Sequence, residues 1–335
     1  MSERERFFNQ IDTISPENFS EAALSLFRFQ YTNNPVYKKF VNYLRVSPNK
    51  INSLEKIPFL PIEFFKNHQV INSLGQNESF EAVFESSGTG LGSVSKHYVR
   101  DLNFYLAHSQ RLFEAEYGPL ENCIFLALLP SYLEREHSSL VAMVNYFIKQ
   151  SGSPDSGFYL YNQEELIEKV KVLKQAHQEK KIVVWGVSFA LLDLAENYQP
   201  DFSNCIVMET GGMKGRRKEM IREALHSFIC ERFQVEVIHS EYGMTELLSQ
   251  SYSKGNGLFH PSTAMKVLVR EVNDPFQISS TSNRSGGINI IDLANIDSCA
   301  FIETKDVGSV NEDGSFQVYG RFDHSDIRGC NLLLD

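Results

Sequence analysis

Glycines, hydroxyl side chains and one lysine lie close together around residue 90. The glycines are Gly88, Gly90 and Gly92, serines and a threonine stand among them, and the lysine is Lys96. Because glycine has no Cβ, the backbone of such a run can adopt positive φ and approach a bulky anion closely. The hydroxyls and the lysine can then contact phosphate oxygens. We predict a phosphate-binding loop, although a solvated turn has the same composition.

Two familiar phosphate-binding motifs do not fit this loop. A Walker loop has glycine directly before its lysine, where this sequence has Ser95. A dinucleotide-binding loop of the GxGxxG type has glycine where Ser93 stands. The loop therefore belongs to neither class.

Two further loops carry residues suited to nucleotide binding. One contains Gly211 and Gly212. The other offers, in order, an aromatic ring for stacking on a base, a glycine for close approach, a hydroxyl for a phosphate oxygen and a carboxylate for Mg2+. These residues are Tyr242, Gly243, Thr245 and Glu246. The same string is also typical of a helix start.

Short apolar runs alternate with longer amphipathic runs between residues 123 and 238. The short runs predict strands at 123–129, 158–161, 182–185, 205–208 and 235–238, and the amphipathic runs predict helices at 138–150, 164–178, 189–198 and 218–233. Strands separated by helices indicate right-handed crossovers and a largely parallel sheet covered on both faces. Ligands bind such sheets on the loops that follow the strands. We therefore expect all three polar loops to lie at that end of the sheet.

The regions on either side of this core have other patterns. Before it, apolar residues three and four apart predict helices at 18–27 and 36–44, started by Pro16 and Pro35. The twice proline-stiffened segment 57–66 cannot be a central strand. After residue 255, short runs predict strands at 288–291, 300–302 and 316–319, the last entered through a turn at residues 313–314. We predict an α/β protein with a helical N-terminal region (1–80), a parallel-sheet core (81–255) and a small β-rich subdomain (256–335).

The composition of the 335-residue chain, 42% apolar and 22% charged, is typical of a globular protein with a large core. A net charge of -10 argues against general binding to nucleic acid or to an anionic membrane. No window approaches the ~18 apolar residues of a membrane span, and the charged N-terminus leads into no signal core. We therefore expect a cytoplasmic protein. Its five cysteines form no CxxC pair, which indicates neither a zinc site nor a disulfide framework.

Five motifs occur in the order of the core motifs of adenylate-forming enzymes, and the chain resembles that superfamily of acyl-CoA synthetases, luciferases and peptide-synthetase adenylation domains. The motifs are residues 86–96, 210–212, 242–246, 303–306 and 320–323. More narrowly, segments 34–37, 57–66 and 328–331 are similar to the LuxE-type acyl-protein synthetases, the fatty-acid-activating component of the bioluminescence fatty-acid reductase. This narrower resemblance covers nearly the whole chain. It implies the large-domain fold of adenylate-forming enzymes, with ATP and Mg2+ as cofactors.

The resemblance also implies a role for each matching residue. The residues that would hold the ATP phosphates are Ser86, Ser87, Gly88, Thr89, Gly90 and Lys96. The residues that would surround the adenine are Gly211, Gly212, Tyr242 and Gly243. The other implied contacts are Thr245 with the α-phosphate, Glu246 with Mg2+, Asp306 with the ribose hydroxyls, Arg321 with the ribose or a phosphate, and His137 with the region of the acid's carboxylate. Asp323 would mark a hinge.

The C-terminal end departs from the superfamily pattern. Lys305 replaces the glycine of the usual Thr-Gly-Asp, and His324 replaces the second aspartate of the last motif. The chain ends twelve residues after Asp323, so we expect the C-terminal domain that carries a second catalytic lysine in most relatives to be absent. The resemblance implies that Cys330, near the end, accepts the acyl group. A tail cysteine without a function is the alternative.

The implied function is ATP-dependent activation of a carboxylic acid, with a fatty acid as substrate, and transfer of the acyl group to a protein thiol. The acceptor would be Cys330, a reductase or a carrier protein. One alternative is a ligase of the phenylacetate-CoA type that delivers the acyl group to CoA or a carrier protein. Another is a non-catalytic binding subunit with the same fold. The sequence does not indicate the oligomeric state.

Overall fold

Two six-stranded sheets and one hairpin make up the β-structure of the residues that the computed structural model describes, which are 1–73, 79–87, 93–130, 135–176, 179–211, 220–279 and 284–322. The helices are α1 (Glu3–Gln10), α2 (Phe19–Asn33), α3 (Pro35–Tyr43), α4 (Phe64–Asn67), α5 (Leu102–Tyr117), α6 (Ser139–Gln150), α7 (Gln163–Ala176), α8 (Ser188–Asn197) and α9 (Arg222–Phe233). The strands are β1 (Leu60–Pro61), β2 (Ala82–Glu85), β3 (Lys96–Val99), β4 (Cys123–Leu128), β5 (Gly157–Phe158), β6 (Lys181–Val187), β7 (Ile206–Thr210), β8 (His239–Tyr242), β9 (Ser251–Ser253), β10 (Leu258–Phe259), β11 (Met265–Arg270), β12 (Gly286–Asp292), β13 (Phe301–Val310) and β14 (Phe316–Arg321). Within the described ranges, no helix is long and apolar enough to cross a membrane.

The first sheet has the strand order β5-β4-β6-β7-β8-β9. Strands β4 to β8 are parallel, and β9 runs antiparallel to β8 at one edge. Every residue of β4 is buried, and so is every residue of β6 after Lys181, as expected of central strands covered on both faces. Trp185 of β6 is fully buried and stacks on Phe113 of α5, with ring centroids 6.0 Å apart. The predicted parallel sheet is confirmed.

Helices α6, α7 and α8 agree with the predicted helices to within two residues at each end, but the strand predicted at 235–238 is wrong. Gln234, which follows α9, has a left-handed φ of 56°, and β8 begins only at His239. The apolar residues before it belong to the connection, and Val237 is exposed. Strand β8 instead buries Ser240 and Glu241. Because β8 is polar, it shows no apolar run, and the predicted strand was placed on the apolar residues just before it.

The second sheet is antiparallel, with the strand order β10-β14-β13-β12-β11. The short strand β1 pairs with β13 in parallel, which agrees with the exclusion of segment 57–66 from a central position. The three strands predicted after residue 255 correspond to β12, β13 and β14. At Gly308, a Cβ would lie only 2.0 Å from the carbonyl oxygen of Gln317 on β14. Glycine therefore lets these two strands approach at a register shift.

The N-terminal helices pack on this second sheet. Phe27 of α2 and Tyr37 of α3 contact Phe301 of β13, with ring centroids 6.1 and 6.0 Å apart. Helix α3 begins at Pro35, as predicted, and the side chain of Asn34 caps it by accepting a hydrogen bond from the Tyr37 amide (3.0 Å). Helix α2 begins three residues after Pro16 and runs further than predicted, and α1 was not predicted. The N-terminal helices thus cover the antiparallel sheet with aromatic contacts.

The glycine-rich loop joins two antiparallel strands, β2 and β3, that form a separate hairpin. The expectation that it follows a strand of the parallel sheet is therefore wrong. Strands of four residues are too short to show a clear period in the sequence. Helix α5, which follows, was also not predicted, because its buried face mixes apolar residues with His108 and Ser109.

Candidate active site

Lys96 is the first residue of β3, where the glycine-rich loop ends. Its ammonium group lies 3.0 Å from the carboxylate of Glu85, its direct partner on β2. The hydrogen bond to Glu85 raises the pKa of Lys96. Because Lys96 is exposed and Glu85 is partly exposed, this pair contributes little to stability. An incoming phosphate can therefore compete with Glu85 for the lysine.

Two serines close the base of the loop. The Ser86 amide donates to the Ser95 carbonyl oxygen, and the Ser95 amide donates to Ser86 Oγ, both at 3.0 Å. Ser87 is exposed at the start of the loop. The buried Ser95 hydroxyl also hydrogen bonds to the carboxylate of Glu246. The base of the predicted phosphate loop thus meets the motif at 242–246, far away in sequence.

Glu246 is a deeply buried carboxylate, with 5% of its surface exposed. Burial raises its pKa, while the Ser95 hydrogen bond and the positive charges of Arg321 and Lys66 act in the opposite direction. No described lysine, arginine or histidine forms an ion pair with it. The site therefore presents a carboxylate whose charge is only partly compensated.

The backbone beside Glu246 is held by two buried side chains. His97 Nδ1 donates a hydrogen bond to the carbonyl oxygen of Thr245 (2.8 Å), and Asn295 Nδ2 donates to the carbonyl oxygen of Glu246 (2.8 Å). His97 Nε2 lies 3.1 Å from Asn295 Oδ1. Burial lowers the pKa of His97 to about 4, so the ring is neutral at pH 7. The Thr245 carbonyl oxygen and Asn295 Oδ1 both only accept, so the single proton of the neutral ring can serve one of these two contacts. We place it on Nδ1, which makes the shorter contact.

Tyr242, Asp306 and Arg321 form a chain of contacts between the two sheets. The Tyr242 hydroxyl donates to Asp306 Oδ2 (2.8 Å), and Arg321 Nε lies 3.3 Å from Asp306 Oδ1. Asp306 and Arg321 are direct partners on β13 and β14, whereas Tyr242 ends β8. Burial raises the pKa of Asp306, and the charge of Arg321 opposes this shift. The residues that the resemblance assigns to adenine and to ribose are thus neighbours.

Gly211 and Gly243 follow the adjacent parallel strands β7 and β8. Gly211 has a φ of 76°, and its carbonyl oxygen accepts a hydrogen bond from the Ser188 hydroxyl (3.2 Å). A Cβ at Gly243 would lie 2.2 Å from Glu241 Oε1, and the Glu241 carboxylate accepts a hydrogen bond from Thr210. A larger residue at 243 would therefore displace a buried carboxylate.

His137 lies beside the hairpin, with an exposed side chain. Its carbonyl oxygen accepts a hydrogen bond from the Glu85 amide (2.7 Å), and its Nε2 is 3.5 Å from the carboxylate of Glu136. This contact brings His137 near the Glu85–Lys96 pair.

Lys66 is a further cation near the site; it ends the segment 57–66 of the narrower resemblance, which gave it no individual role. It belongs to α4, whose Phe65 packs edge-on against the His97 ring with centroids 5.8 Å apart. The charge of Lys66 lowers the pKa of Glu246. Among the described residues, no carboxylate lies within ion-pair distance of Lys66. Ser95, His97 and Asn295 also emerge only from the folded structure.

Six of the implied site residues lie outside the described residues. They are Gly88, Thr89, Gly90, Gly212, Asp323 and Cys330.

Glu246 fits a magnesium ion that is carried by phosphates. In the described part of the chain, no group of three or more histidines, cysteines, aspartates or glutamates could form a metal site. Mg2+ usually binds one or two protein carboxylates and takes its other ligands from water and substrate phosphates. A cation at this position would also stabilise the buried charge of Glu246. The donor set therefore suits Mg2+ bound together with ATP, with Glu246 as its protein ligand.

Several solved structures have the same fold as this chain. The ATP-bound enzyme MatB from Rhodopseudomonas palustris is 14% identical, with a TM-score of 0.53 over 75% of this chain and 50% of its own. O-succinylbenzoate coenzyme A synthetase from Bacillus subtilis, in complex with ATP and magnesium, is 15% identical, with a TM-score of 0.52 over 73% of this chain and 51% of its own. A long-chain-fatty-acid-CoA ligase from Archaeoglobus fulgidus is 17% identical, with a TM-score of 0.50 over 75% and 53%.

The chain thus spans about half the length of these enzymes. No protein family and no curated protein matches the sequence. At such low identity the likeness concerns the fold, which is the mixed α/β fold of adenylate-forming enzymes.

Proposed function

We propose that this protein activates a carboxylic acid, with a fatty acid as the expected substrate, by ATP-dependent formation of an acyl-adenylate, and transfers the acyl group to a protein thiol. The observation that carries the proposal is the meeting of Lys96, Glu246 and the Tyr242–Asp306–Arg321 chain at one junction of this fold. These contacts link motifs that are widely separated in sequence. They bring cations, hydroxyls and a buried carboxylate to one junction of the fold.

The chemistry explains why such groups are needed. A carboxylate oxygen attacks the α-phosphorus of ATP, the bond to the β-phosphate oxygen breaks, and pyrophosphate leaves. A thiolate then attacks the acyl carbon, a thioester forms, and AMP leaves. Two anions must meet in the first step, so cations and hydrogen-bond donors around the phosphates lower its barrier.

Each residue has a defined part in this proposal. Lys96 exchanges Glu85 for a phosphate oxygen, Thr245 donates to the α-phosphate, and Glu246 holds Mg2+. Asp306 binds the ribose hydroxyls, and Arg321 neutralises a phosphate or binds the ribose. Mg2+, when bound, neutralises phosphate charge.

The acyl acceptor distinguishes the leading proposal from its main rival. Transfer to CoA is favoured by the fold likeness to enzymes described as coenzyme A synthetase and CoA ligase. Transfer to a protein thiol is favoured by the resemblance of the C-terminal segment, in which Cys330 would be acylated. A non-catalytic subunit is a third candidate.

Pyrophosphate exchange into ATP with a panel of acids tests activation, and no exchange with any acid would support the non-catalytic role. Incubation with labelled acid then tests transfer. Wild type should retain label as a hydroxylamine-sensitive thioester, and Cys330→Ser should still exchange pyrophosphate but lose this label. Undiminished thioester labelling of Cys330→Ser would reject Cys330 as the acceptor, and label on CoA would establish the rival.

A further inference from the structure

Two buried side chains without an assigned role contact the backbone at Thr245 and Glu246. They are His97 of β3 and Asn295, which follows β12, and each is 1% exposed. Burying an imidazole or an amide is costly unless its polar atoms form hydrogen bonds. Here a nitrogen of each side chain lies 2.8 Å from one of two consecutive carbonyl oxygens, those of Thr245 and Glu246, so that each can donate a hydrogen bond.

These two hydrogen bonds determine how the peptide units at 245 and 246 are oriented. Adjacent carbonyls are held from two different elements, so the segment cannot rotate about its own axis without breaking one bond. The next part of the chain is held as well, because buried Asp292 accepts hydrogen bonds from the amides of Leu248 (2.8 Å) and Ser249 (3.0 Å). The direction of the Thr245 and Glu246 side chains follows from this backbone.

We propose that His97 and Asn295 are positioning residues that aim the Thr245 hydroxyl and the Glu246 carboxylate at magnesium-bound ATP. The inference rests on the proposed function. It adds that the hairpin of the phosphate loop and the motif at 242–246 are coupled through His97, which directly follows Lys96 in β3. A shift of the loop would therefore be transmitted to Glu246.

Asn72 provides a matched control. It is fully buried, and its Nδ2 donates to the carbonyl oxygen of Ile296 (2.6 Å), one residue after Asn295. Asn72→Ala and Asn295→Ala therefore each remove a buried amide that donates to one backbone carbonyl. Only Asn295 contacts the backbone of Glu246.

The first experiment measures pyrophosphate exchange at several Mg2+ concentrations. We expect Asn295→Ala to lower kcat about tenfold and to raise the Mg2+ concentration for half-maximal exchange, with KM for the acid changed less than about twofold. Asn72→Ala should lose comparable thermal stability with little change in either kinetic parameter. Equal kinetic effects of the two substitutions would overturn the inference.

The second experiment uses conservative rescue at position 97. An asparagine amide can place its nitrogen near the position of histidine Nδ1, so His97→Asn should keep the hydrogen bond to Thr245 and most of the activity. His97→Leu retains bulk but no donor, and we expect about tenfold lower exchange. If leucine supports activity as well as asparagine does, the hydrogen bond has no positioning role.

Amide hydrogen exchange separates this inference from the proposed function, because it needs no substrate. The amides of Leu247, Leu248 and Ser249 are hydrogen-bonded. They should exchange about tenfold faster in Asn295→Ala and His97→Leu than in wild type or Asn72→Ala. Unchanged protection in both variants would overturn the inference. Faster amide exchange in a protein that never exchanges pyrophosphate would reject the proposed function and support the backbone-holding role.

Discussion

At the scale of single residues, the site combines exposed and buried charge. Lys96 is close to solvent and paired with Glu85, whereas Glu246 and Asp306 are buried, with pKa values raised by burial. An exposed cation can change partner at little cost, and a buried carboxylate favours any cation that approaches it. We therefore expect these residues to contribute more to ligand binding than to folding, and substitutions can separate the two effects.

We expect Lys96→Ala and Glu246→Gln each to lower pyrophosphate exchange about a hundredfold, since each removes an electrostatic contact to the reacting phosphates. The free energy of unfolding should stay within about 1 kcal/mol of wild type for Lys96→Ala, because its ion pair is exposed. Glu246→Gln should be at least as stable as wild type, because it removes a desolvated charge. Lys171→Ala, which breaks an exposed pair with Glu168, is the control. A folded variant at either site with near-normal exchange would reject the assignment.

Asp306→Asn tests the ribose contact. The amide can still accept a hydrogen bond from the Tyr242 hydroxyl but lacks the negative charge that two ribose hydroxyls would contact. Hydrogen bonds to a charged acceptor are worth about 1.5–3 kcal/mol, so the Kd for ATP should rise about 10- to 100-fold. Calorimetric titration measures this directly. A lower affinity for the acid with unchanged ATP affinity would show that Asp306 has another role.

At the scale of elements, the site lies where four separate pieces of structure meet: the β2–β3 hairpin, the segment after β8, the β13–β14 pair and helix α4. Helix α4 is held at this junction by Phe65, which contacts His97, and by the ion pair between Glu63 and Lys305. The positive charge of its Lys66 lowers the pKa of Glu246. A four-residue helix thus contributes charge to a site formed mainly by loops and strands.

Lys66→Met should lower kcat/KM for pyrophosphate exchange at least about tenfold, because it removes a positive charge near the reacting anions. Lys56→Met is the matched control, since Lys56 is also exposed but its Nζ contacts only Asn52 among the described residues (3.0 Å). The two variants should be compared at low and at high ionic strength, because salt screens the long-range electrostatic effect of Lys66 and should reduce the difference between them. Equal activity of the two variants would remove Lys66 from the site.

The sequence predicts some of these elements and not others for physical reasons. Helices with an apolar face show their period directly, and strands such as β4 and β6 are visible as continuous apolar runs. Strand β8 does not, because its polar side chains are buried with partners such as Thr210, which donates to Glu241. The contacts of Ser95 with Glu246 and of Tyr242 with Asp306 join distant parts of the chain. Motifs indicate which residues belong to the site, but only the fold brings Lys66, His97 and Asn295 to it.

At the scale of the whole molecule, buried histidines make stability depend on pH. Burial lowers the pKa of His108 to about 3 and the pKa values of His97 and His239 to about 4. Below about pH 6.5 the unfolded chain binds these protons and the folded chain does not, so each histidine lowers stability as the pH falls towards its folded pKa. Carboxyl groups with raised pKa, such as that of Asp292, act with the opposite sign.

His108→Gln should therefore flatten the pH dependence of stability. The glutamine amide can still donate to Ser249 Oγ, which His108 Nε2 contacts at 2.9 Å. Between pH 6.5 and 4, wild type should lose about 1.4 kcal/mol per pH unit more than the variant. Urea unfolding at a series of pH values gives the difference, in which the contribution of the carboxyl groups cancels. Parallel curves would show that folding does not lower the pKa of His108.

The stacking of Trp185 on Phe113 provides an intrinsic optical probe of only one of the two sheets. Trp185 is the only tryptophan in the sequence, and its indole N–H has no partner among the described residues. Because the indole is buried beside Phe113, its fluorescence should be blue-shifted in the native state. Far-ultraviolet circular dichroism instead reports on the backbone of both sheets. Because Tyr242 and Asp306 join the sheets, we expect the two signals to change at the same urea concentration. A fluorescence transition at a different concentration would reveal that one sheet melts while the other persists.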